Sequence, residues 1–166
     1  MDLPYWSSLI TQYPNKDAGL VFKEIGGKVE LNYDIGVFNN ACATRVSKAL
    51  NGSGGVHLVP FFKDKSPNGK IEPQVTSGKN KKWYIFRVRM LVKHLKSRYG
   101  NPQEFKPIKF KKELKDKKGI IVYEVPGWND ATGHADLWDG NRTVYKDYAG
   151  QATKILFWEA KNEPKK

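Results

Sequence analysis

Apolar residues recur every three or four positions in three segments of the chain, which predicts three helices. The first segment is PYWSSLITQYP at 4–14, where a proline ends the pattern. The second is ACATRVSKAL at 41–50, preceded by two asparagines, a residue type favoured at helix N-caps. The third lies within 81–102, and its apolar positions are Tyr84, Val88, Leu91, Leu95 and Tyr99.

The last third of the chain has the short period of β-structure. GIIVYEV at 119–125 is typical of a buried strand, and HADLW, TVYKDY and ATKILFWEA follow it at short intervals. They predict an antiparallel meander of at least four strands. The stretch at 21–34 predicts loop or short strand, and 51–82 a long loop region. Helices first and a sheet last indicate an α+β fold, and we expect residues 1–166 to form one domain.

Composition agrees with a packed globular protein, because 39% of the residues are hydrophobic and 13% aromatic. A single cysteine excludes an internal disulfide. The N-terminus lacks the features of a signal peptide, and no apolar stretch is long enough to cross a bilayer. We therefore expect synthesis in the cytoplasm, no membrane insertion, and export, if any, by a route without a signal peptide.

The net charge of +12 is concentrated in one quarter of the chain. Residues 79–118 contain 15 lysines and arginines against three acids, whereas the other residues carry 14 basic and 14 acidic groups. Such a block indicates an anionic partner, either nucleic acid, a membrane surface or an acidic polymer such as cell wall. A solvated face that keeps the protein in solution is an equal alternative.

The lone cysteine, Cys42, lies in the first turn of the second predicted helix, behind Asn39 and Asn40. Unsatisfied N–H groups and the helix dipole favour an anion there, and so the thiolate that a nucleophile needs. Buried cysteines often serve only as small apolar side chains, so position alone is a weak signal.

His134 supplies the second chemical group, because a loop rich in Gly, Asn and Asp delivers it to the first position of a predicted strand. A cysteine that opens a helix, followed far downstream by a histidine that opens a strand, is the papain-like order. His94, beside Lys93 on the polar face of the third predicted helix, and His57 are weaker candidates. No spacing of metal ligands and no nucleotide-binding motif occurs, so we expect neither a metal nor a cofactor.

Two blocks, NNACATRVSKALN around Cys42 and GIIVYEVPGWNDATGHADLWDG around His134, resemble the fourth family of type VI secretion amidase effectors. WSSLITQYP, VRMLVKHL and YGNP support the resemblance in collinear order. It implies a papain-like cysteine hydrolase that cleaves the γ-D-glutamyl–diaminopimelate amide of peptidoglycan stem peptides. It also implies secretion by the type VI machinery, action in the periplasm of a rival bacterium, and a cognate immunity protein.

In this interpretation Cys42 attacks the amide carbonyl and His134 moves the proton. The backbone N–H of Cys42, with Asn40 upstream, is expected to hold the oxyanion. Trp128 and Gly133, in the loop before His134, are candidates for substrate contact.

The group that orients His134 is predicted to be Asp147, with Asp136 as the alternative. A hairpin centred on Gly140 and Asn141 would place Asp147 directly opposite His134. Asp136 lies on the correct face but about 6.6 Å further along the same strand.

Two other functions remain possible from the sequence. A nucleic-acid binder or nuclease toxin could use residues 79–118, with Trp83, Tyr84, Phe86 and Tyr99 available for stacking. Their helical spacing argues for burial instead, so we expect no nucleic-acid partner. A papain-like acyltransferase would share Cys42 and His134 and differ only in the acceptor.

Overall fold

A computed structural model describes residues 1–38, 40–126 and 133–163. The six α-helices among these residues are α1 (Trp6–Gln12), α2 (Ala18–Ile25), α3 (Gly27–Asp34), α4 (Cys42–Ser53), α5 (Val88–Tyr99) and α6 (Phe110–Glu113). A 3₁₀ turn at Gly55–His57 follows α4. The eight strands of the described ranges are β1 (Lys63–Lys65), β2 (Ile71–Pro73), β3 (Val75–Ser77), β4 (Trp83–Ile85), β5 (Gln103–Phe105), β6 (Gly119–Glu124), β7 (Gly133–Trp138) and β8 (Lys154–Glu159).

The main sheet has four antiparallel strands in the order β5-β8-β6-β7. Side chains alternate between its faces, so Ile120 and Val122 contact one apolar cluster while Ile121 and Tyr123 contact another. Helices α1, α4 and α5 contribute to the first cluster, and α6 contributes to the second. Strand β7 lies at the edge of the sheet, and α4 packs against it.

Helix α4 is buried on several sides, which explains why polar residues occur among its apolar ones. Val46, Ala49 and Leu50 are fully buried in the first cluster. Asn51 is also buried, and it donates to the carbonyl of Trp83 (2.7 Å) and accepts from the N–H of Val59 (2.8 Å). These bonds fix the segments on either side of the helix that presents Cys42, because buried polar groups require partners.

The α+β fold class and the three predicted helices are confirmed, with shifted boundaries. The third helix begins only at Val88, because residues 83–85 pair with β3 instead. The prediction of loop or strand at 21–34 is wrong, since two helices meet there at Gly26 and Gly27, both with positive φ. Two short hairpins, β1–β2 and β3–β4, lie in the region predicted as loop.

The predicted meander is also wrong. TVYKDY at 143–148 is not a strand and makes only an isolated bridge, between Thr143 and Trp138. The fourth strand is β5, which precedes the others in sequence and pairs with β8. Within the described ranges, no helix combines the length and apolar character needed to cross a membrane.

Candidate active site

Cys42 is the first residue of α4, and only 1% of its surface is exposed. Ala41 occupies the N-cap position and makes no side-chain cap bond. Asn40 instead supplies the side-chain acceptor, because the backbone N–H of Cys42 donates to Oδ1 of Asn40 (3.0 Å). The thiol is thus fixed at the end of a helix where backbone N–H groups are available to an anion.

His134 is the second residue of β7 and is 4% exposed. The rings of Tyr148, Tyr123 and Tyr145 lie around it, with centroids 4.6, 6.2 and 6.5 Å away. Burial lowers the pKa of His134, but hydrogen bonds with Asp136 and Cys42 outweigh burial and raise it. The imidazole therefore lies between the thiol and a carboxylate, and this environment favours its protonated form.

Asp136 is fully buried, and its carboxylate accepts hydrogen bonds from several donors. Nε2 of His134 donates to Oδ2 (2.7 Å), and the phenol of Tyr13 donates to Oδ1 (3.0 Å). Backbone N–H groups of Tyr145 and Lys146 add bonds of 3.1 and 3.0 Å. A buried carboxylate held by so many donors is fixed in position, and through its bond to Nε2 it fixes the orientation of the imidazole.

Further residues hold this carboxylate network in place. Burial and the neighbouring Asp136 carboxylate keep the pKa of Tyr13 well above its ordinary value, so the phenol stays a donor. The guanidinium of Arg45 lies 3.7 Å from the ring centre of Tyr145 and donates twice to the carbonyl of Lys16 (2.9 and 3.2 Å). Nothing in the local sequence around Tyr13 or Arg45 indicated these roles, since both depend on contacts distant in the chain.

The prediction that Asp147 lies opposite His134 is wrong. Tyr123 on β6 is the residue paired with His134, and the exposed Asp147 forms an ion pair with Lys111 (2.8 Å). Next to the turn, the segment has the predicted register, because Thr143 bridges Trp138 and the N–H of Val144 donates to the carbonyl of Leu137. The chain then leaves the strand direction, because Asp136 accepts the next two N–H groups.

The other candidate residues have different outcomes. Gly133 pairs with Glu124 at the start of β7, and a Cβ there would overlap the carbonyl oxygen of Tyr123. Strand pairing thus explains this glycine, and its contact with substrate stays a prediction. Asn40 contacts Cys42 as described above, and its part in an oxyanion site also stays a prediction. Trp128 lies outside the described residues.

The four aromatic residues that a nucleic-acid strand would need are buried or half-buried against other parts of the protein. Tyr84 is 2% exposed, and Trp83 and Tyr99 pack against the first apolar cluster. Phe86 stacks on Phe38, with centroids 4.7 Å apart. These positions do not form a stacking platform, which argues against the nucleic-acid alternative.

A helix N-terminal thiol, an imidazole on a sheet edge and a carboxylate beyond it define the arrangement of a papain-like hydrolase. The family model described as type VI secretion system (T6SS), amidase effector protein 4 (Tae4) matches residues 38–158. This chain belongs to that family. It is therefore a type VI secretion amidase effector, and no curated protein sequence matches it.

Solved structures support the same assignment over nearly the whole chain. The matched chain in the Tae4–Tai4 effector–immunity complex from Enterobacter cloacae shares 31% sequence identity with this chain. The TM-score is 0.76, and the match covers 95% of this chain and 99% of that chain. The Tae4–Tai4 complex from Salmonella Typhimurium is 28% identical, with a TM-score of 0.80 over 96% and 100%. The effector Tae4 from Enterobacter cloacae is 31% identical, with a TM-score of 0.79 over 97% and 100%.

Proposed function

We propose that this effector is a cysteine hydrolase that cleaves the γ-D-glutamyl–diaminopimelate amide of peptidoglycan stem peptides. Cys42 is the nucleophile, His134 the general base and acid, and Asp136 the group that orients the imidazole. The observation that carries this proposal is the position of His134, whose imidazole bonds to the buried Asp136 across 2.7 Å and whose pKa is raised by interaction with both Asp136 and Cys42. Asp136 thus takes the role first predicted for Asp147.

The geometry supports a two-step acyl transfer to water. Nε2 of His134 is bonded to Asp136, which leaves Nδ1 to take the thiol proton. The sulfur attacks the amide carbonyl, and the resulting tetrahedral intermediate collapses to a thioester as His134 protonates the departing amine. Water then attacks the thioester with His134 as base, releasing the γ-carboxyl product and the Cys42 thiol.

The oxyanion of the intermediate requires a donor close to the sulfur. The N–H of Cys42 belongs to the same residue as the sulfur, and in this structure it donates to Oδ1 of Asn40. We propose that the substrate carbonyl oxygen replaces Oδ1 of Asn40 on this N–H as the bond to sulfur forms. The short side chain of Asn40 is exposed, so it can rotate away without disturbing the core.

Membership of the family supports a proposal for the place of action and for the partner. An effector delivered by type VI secretion meets peptidoglycan in the periplasm of the target bacterium, and we propose this compartment as its site of action. Two of the three solved structures named above are complexes of Tae4 with a Tai4 immunity protein. A cognate immunity protein that covers the Cys42 site is proposed to protect the producing cell.

A muropeptide digest analysed by mass spectrometry tests the proposal. Reduced wild-type protein and Cys42→Ala are incubated in parallel with diaminopimelate-type muropeptides, with Ser53→Ala at the far end of α4 as a control. We expect cleavage between D-glutamate and diaminopimelate by wild type and Ser53→Ala, and none by the folded Cys42→Ala. Cleavage by Cys42→Ala near the wild-type rate, or none by the reduced wild type, contradicts the proposal.

A further inference from the structure

Residues 106–118 form a lysine-rich surface, here called the basic cap. Seven of these 13 residues are lysines against two acids, Glu113 and Asp116. Every one of the seven side chains is exposed; they are Lys106, Lys109, Lys111, Lys112, Lys115, Lys117 and Lys118. Almost half of the net charge of +12 therefore lies on this one segment.

Few of these charges are neutralised by the protein itself. Within the described ranges only Lys111 forms an ion pair, with Asp147 at 2.8 Å. Lys118 lies 6.0 Å from the ring centre of Trp6, a contact that leaves its charge intact. Exposed like charges in one segment repel one another, and an external polyanion would relieve that repulsion.

The basic cap is firmly attached to the sheet beside the candidate active site. Phe110 and Leu114 are fully buried, and the indole of Trp138 donates to the carbonyl of Leu114 (3.0 Å). The ring of Phe110 lies 5.9 Å from Tyr123, which in turn lies 6.2 Å from His134. A polymer held by the cap would thus remain close to the residues that cleave it.

The chemistry of the cap distinguishes between possible polyanions. It contains lysines and no arginine, whereas bidentate recognition of phosphate favours arginine. Phe110, its one aromatic residue, is buried and cannot stack on a base. Lysine ammonium groups are hydrated point charges, and no aromatic ring is available here for stacking. Such a surface binds dispersed carboxylates better than it binds a nucleic-acid strand.

We propose that the basic cap binds the free carboxylates of the peptidoglycan layer around the stem peptide being cleaved. This inference rests on the proposed peptidoglycan substrate. Several weak lysine–carboxylate contacts raise the local concentration of further stems at the Cys42 site without contributing to the chemical step. The cap would therefore matter for the insoluble wall and not for a soluble fragment.

Sedimentation with purified sacculi tests the proposal, and Cys42→Ala protein keeps the sacculi intact during the measurement. The cap variant carries Lys106→Glu, Lys109→Glu, Lys112→Glu and Lys115→Glu. A control variant carries the same charge change at exposed positions elsewhere, namely Lys23→Glu, Lys28→Glu, Lys65→Glu and Lys70→Glu. Sacculi with amidated carboxylates and a single-stranded RNA serve as further ligands.

We expect the cap variant to bind sacculi at least about tenfold more weakly than the control variant, because several charge contacts are lost together. Binding of the parent protein should also fall on amidated sacculi and at about 1 M salt, where the Debye length is about 3 Å. Equal losses in both variants, unchanged binding to amidated sacculi, or tighter binding to RNA than to sacculi would overturn the proposal.

Activity on a soluble muropeptide separates this inference from the proposed function. With Cys42 restored, the cap variant should cleave the fragment at the wild-type rate and intact sacculi more slowly. If wild type leaves the soluble fragment uncut, the proposed function fails, whatever the sacculus binding shows. If the cap variant loses cleavage of the soluble fragment as well, the cap acts in catalysis or folding and the wall-binding inference is wrong.

Discussion

Nε2 of His134 donates to Oδ2 of Asp136 across 2.7 Å, although the two residues are separated by only one position of the same strand. Alternate residues of a strand share a face, with Cα atoms about 6.6 Å apart, and the two side chains span that distance by leaning towards each other. One edge strand therefore supplies both the imidazole and the carboxylate. Residues 143–148, which follow this strand in the sequence, do not form a further strand. Their backbone N–H groups at 145 and 146 donate to Asp136 instead.

Replacing Asp136 should reduce kcat severely, whereas replacing Asp147 should have little effect on it. Asp136→Asn keeps the size of the side chain but removes the charge that stabilises protonated His134, so kcat on muropeptide should fall about 10³- to 10⁴-fold. Asp147→Asn removes only an exposed ion pair with Lys111, which contributes at most about 1 kcal/mol. Steady-state kinetics on one muropeptide measures both. A severe loss in Asp147→Asn with a mild one in Asp136→Asn would contradict the assignment.

The sequence was enough to place Cys42 at the start of a helix and His134 near the start of a strand. It offered Asp136 only as the alternative to Asp147 for the group that orients the imidazole. Helix and strand periodicity placed the first two, and the turn at Gly140 gave the correct register for Thr143 and Trp138. The sequence pattern does not show that the buried carboxylate of Asp136 needs hydrogen-bond donors. Because of this requirement, the N–H groups of residues 145 and 146 point towards Asp136, and the strand pairing ends there.

The burial of His94 is likewise not evident from the sequence pattern. Its neighbour Lys93 is exposed and bonded to Asp64, which agrees with a polar helix face. His94 itself is 8% exposed and lies parallel to the ring of Phe62, from the hairpin region that was predicted as loop. A segment without helical or strand periodicity still covered this face of α5, and only the tertiary structure reveals such a contact.

Tyr13→Phe tests whether the phenol supports the carboxylate network. Loss of the 3.0 Å bond to Asp136 should destabilise the fold by about 1.5–3 kcal/mol, the usual range for a bond to a charged group. Asp136 would then interact more strongly with protonated His134, so the pKa of His134 should rise further. An NMR titration of the His134 ring measures that pKa. A purely structural role of Tyr13 would lower stability and leave the pKa unchanged.

Gly133→Ala tests the close approach of β7 to β6. A methyl group there would overlap the backbone carbonyl of Tyr123, so we expect a loss of about 1–3 kcal/mol in unfolding free energy and displacement of His134. Gly150→Ala is the matched control, because no heavy atom lies within 4 Å of its Cβ position. Chemical denaturation of both variants measures the difference. Equal stability of the two variants would contradict the strand-pairing explanation for Gly133.

His94 should make the folded state sensitive to acid. Burial, followed by the charge of Arg98, lowers the pKa of His94 to about 4, and its Nε2 has no hydrogen-bond partner within the described ranges. As the pH falls below about 6.5, the unfolded chain binds a proton that the folded protein excludes. Stability is therefore lost between pH 6.5 and pH 4, by up to about 3 kcal/mol from this residue.

His94→Phe removes the imidazole that binds this proton in the unfolded chain and retains an aromatic ring against Phe62. The unfolding free energy of the variant should therefore fall less between pH 7 and pH 4 than that of the wild-type protein. His134, whose pKa is raised, acts in the opposite direction: its contribution is complete below pH 6.5 and is lost as the pH rises through its folded-state value. Both proteins share that contribution, so it cancels in the comparison. Urea denaturation at a series of pH values measures the two curves, and parallel curves would show that His94 is protonated in the folded protein.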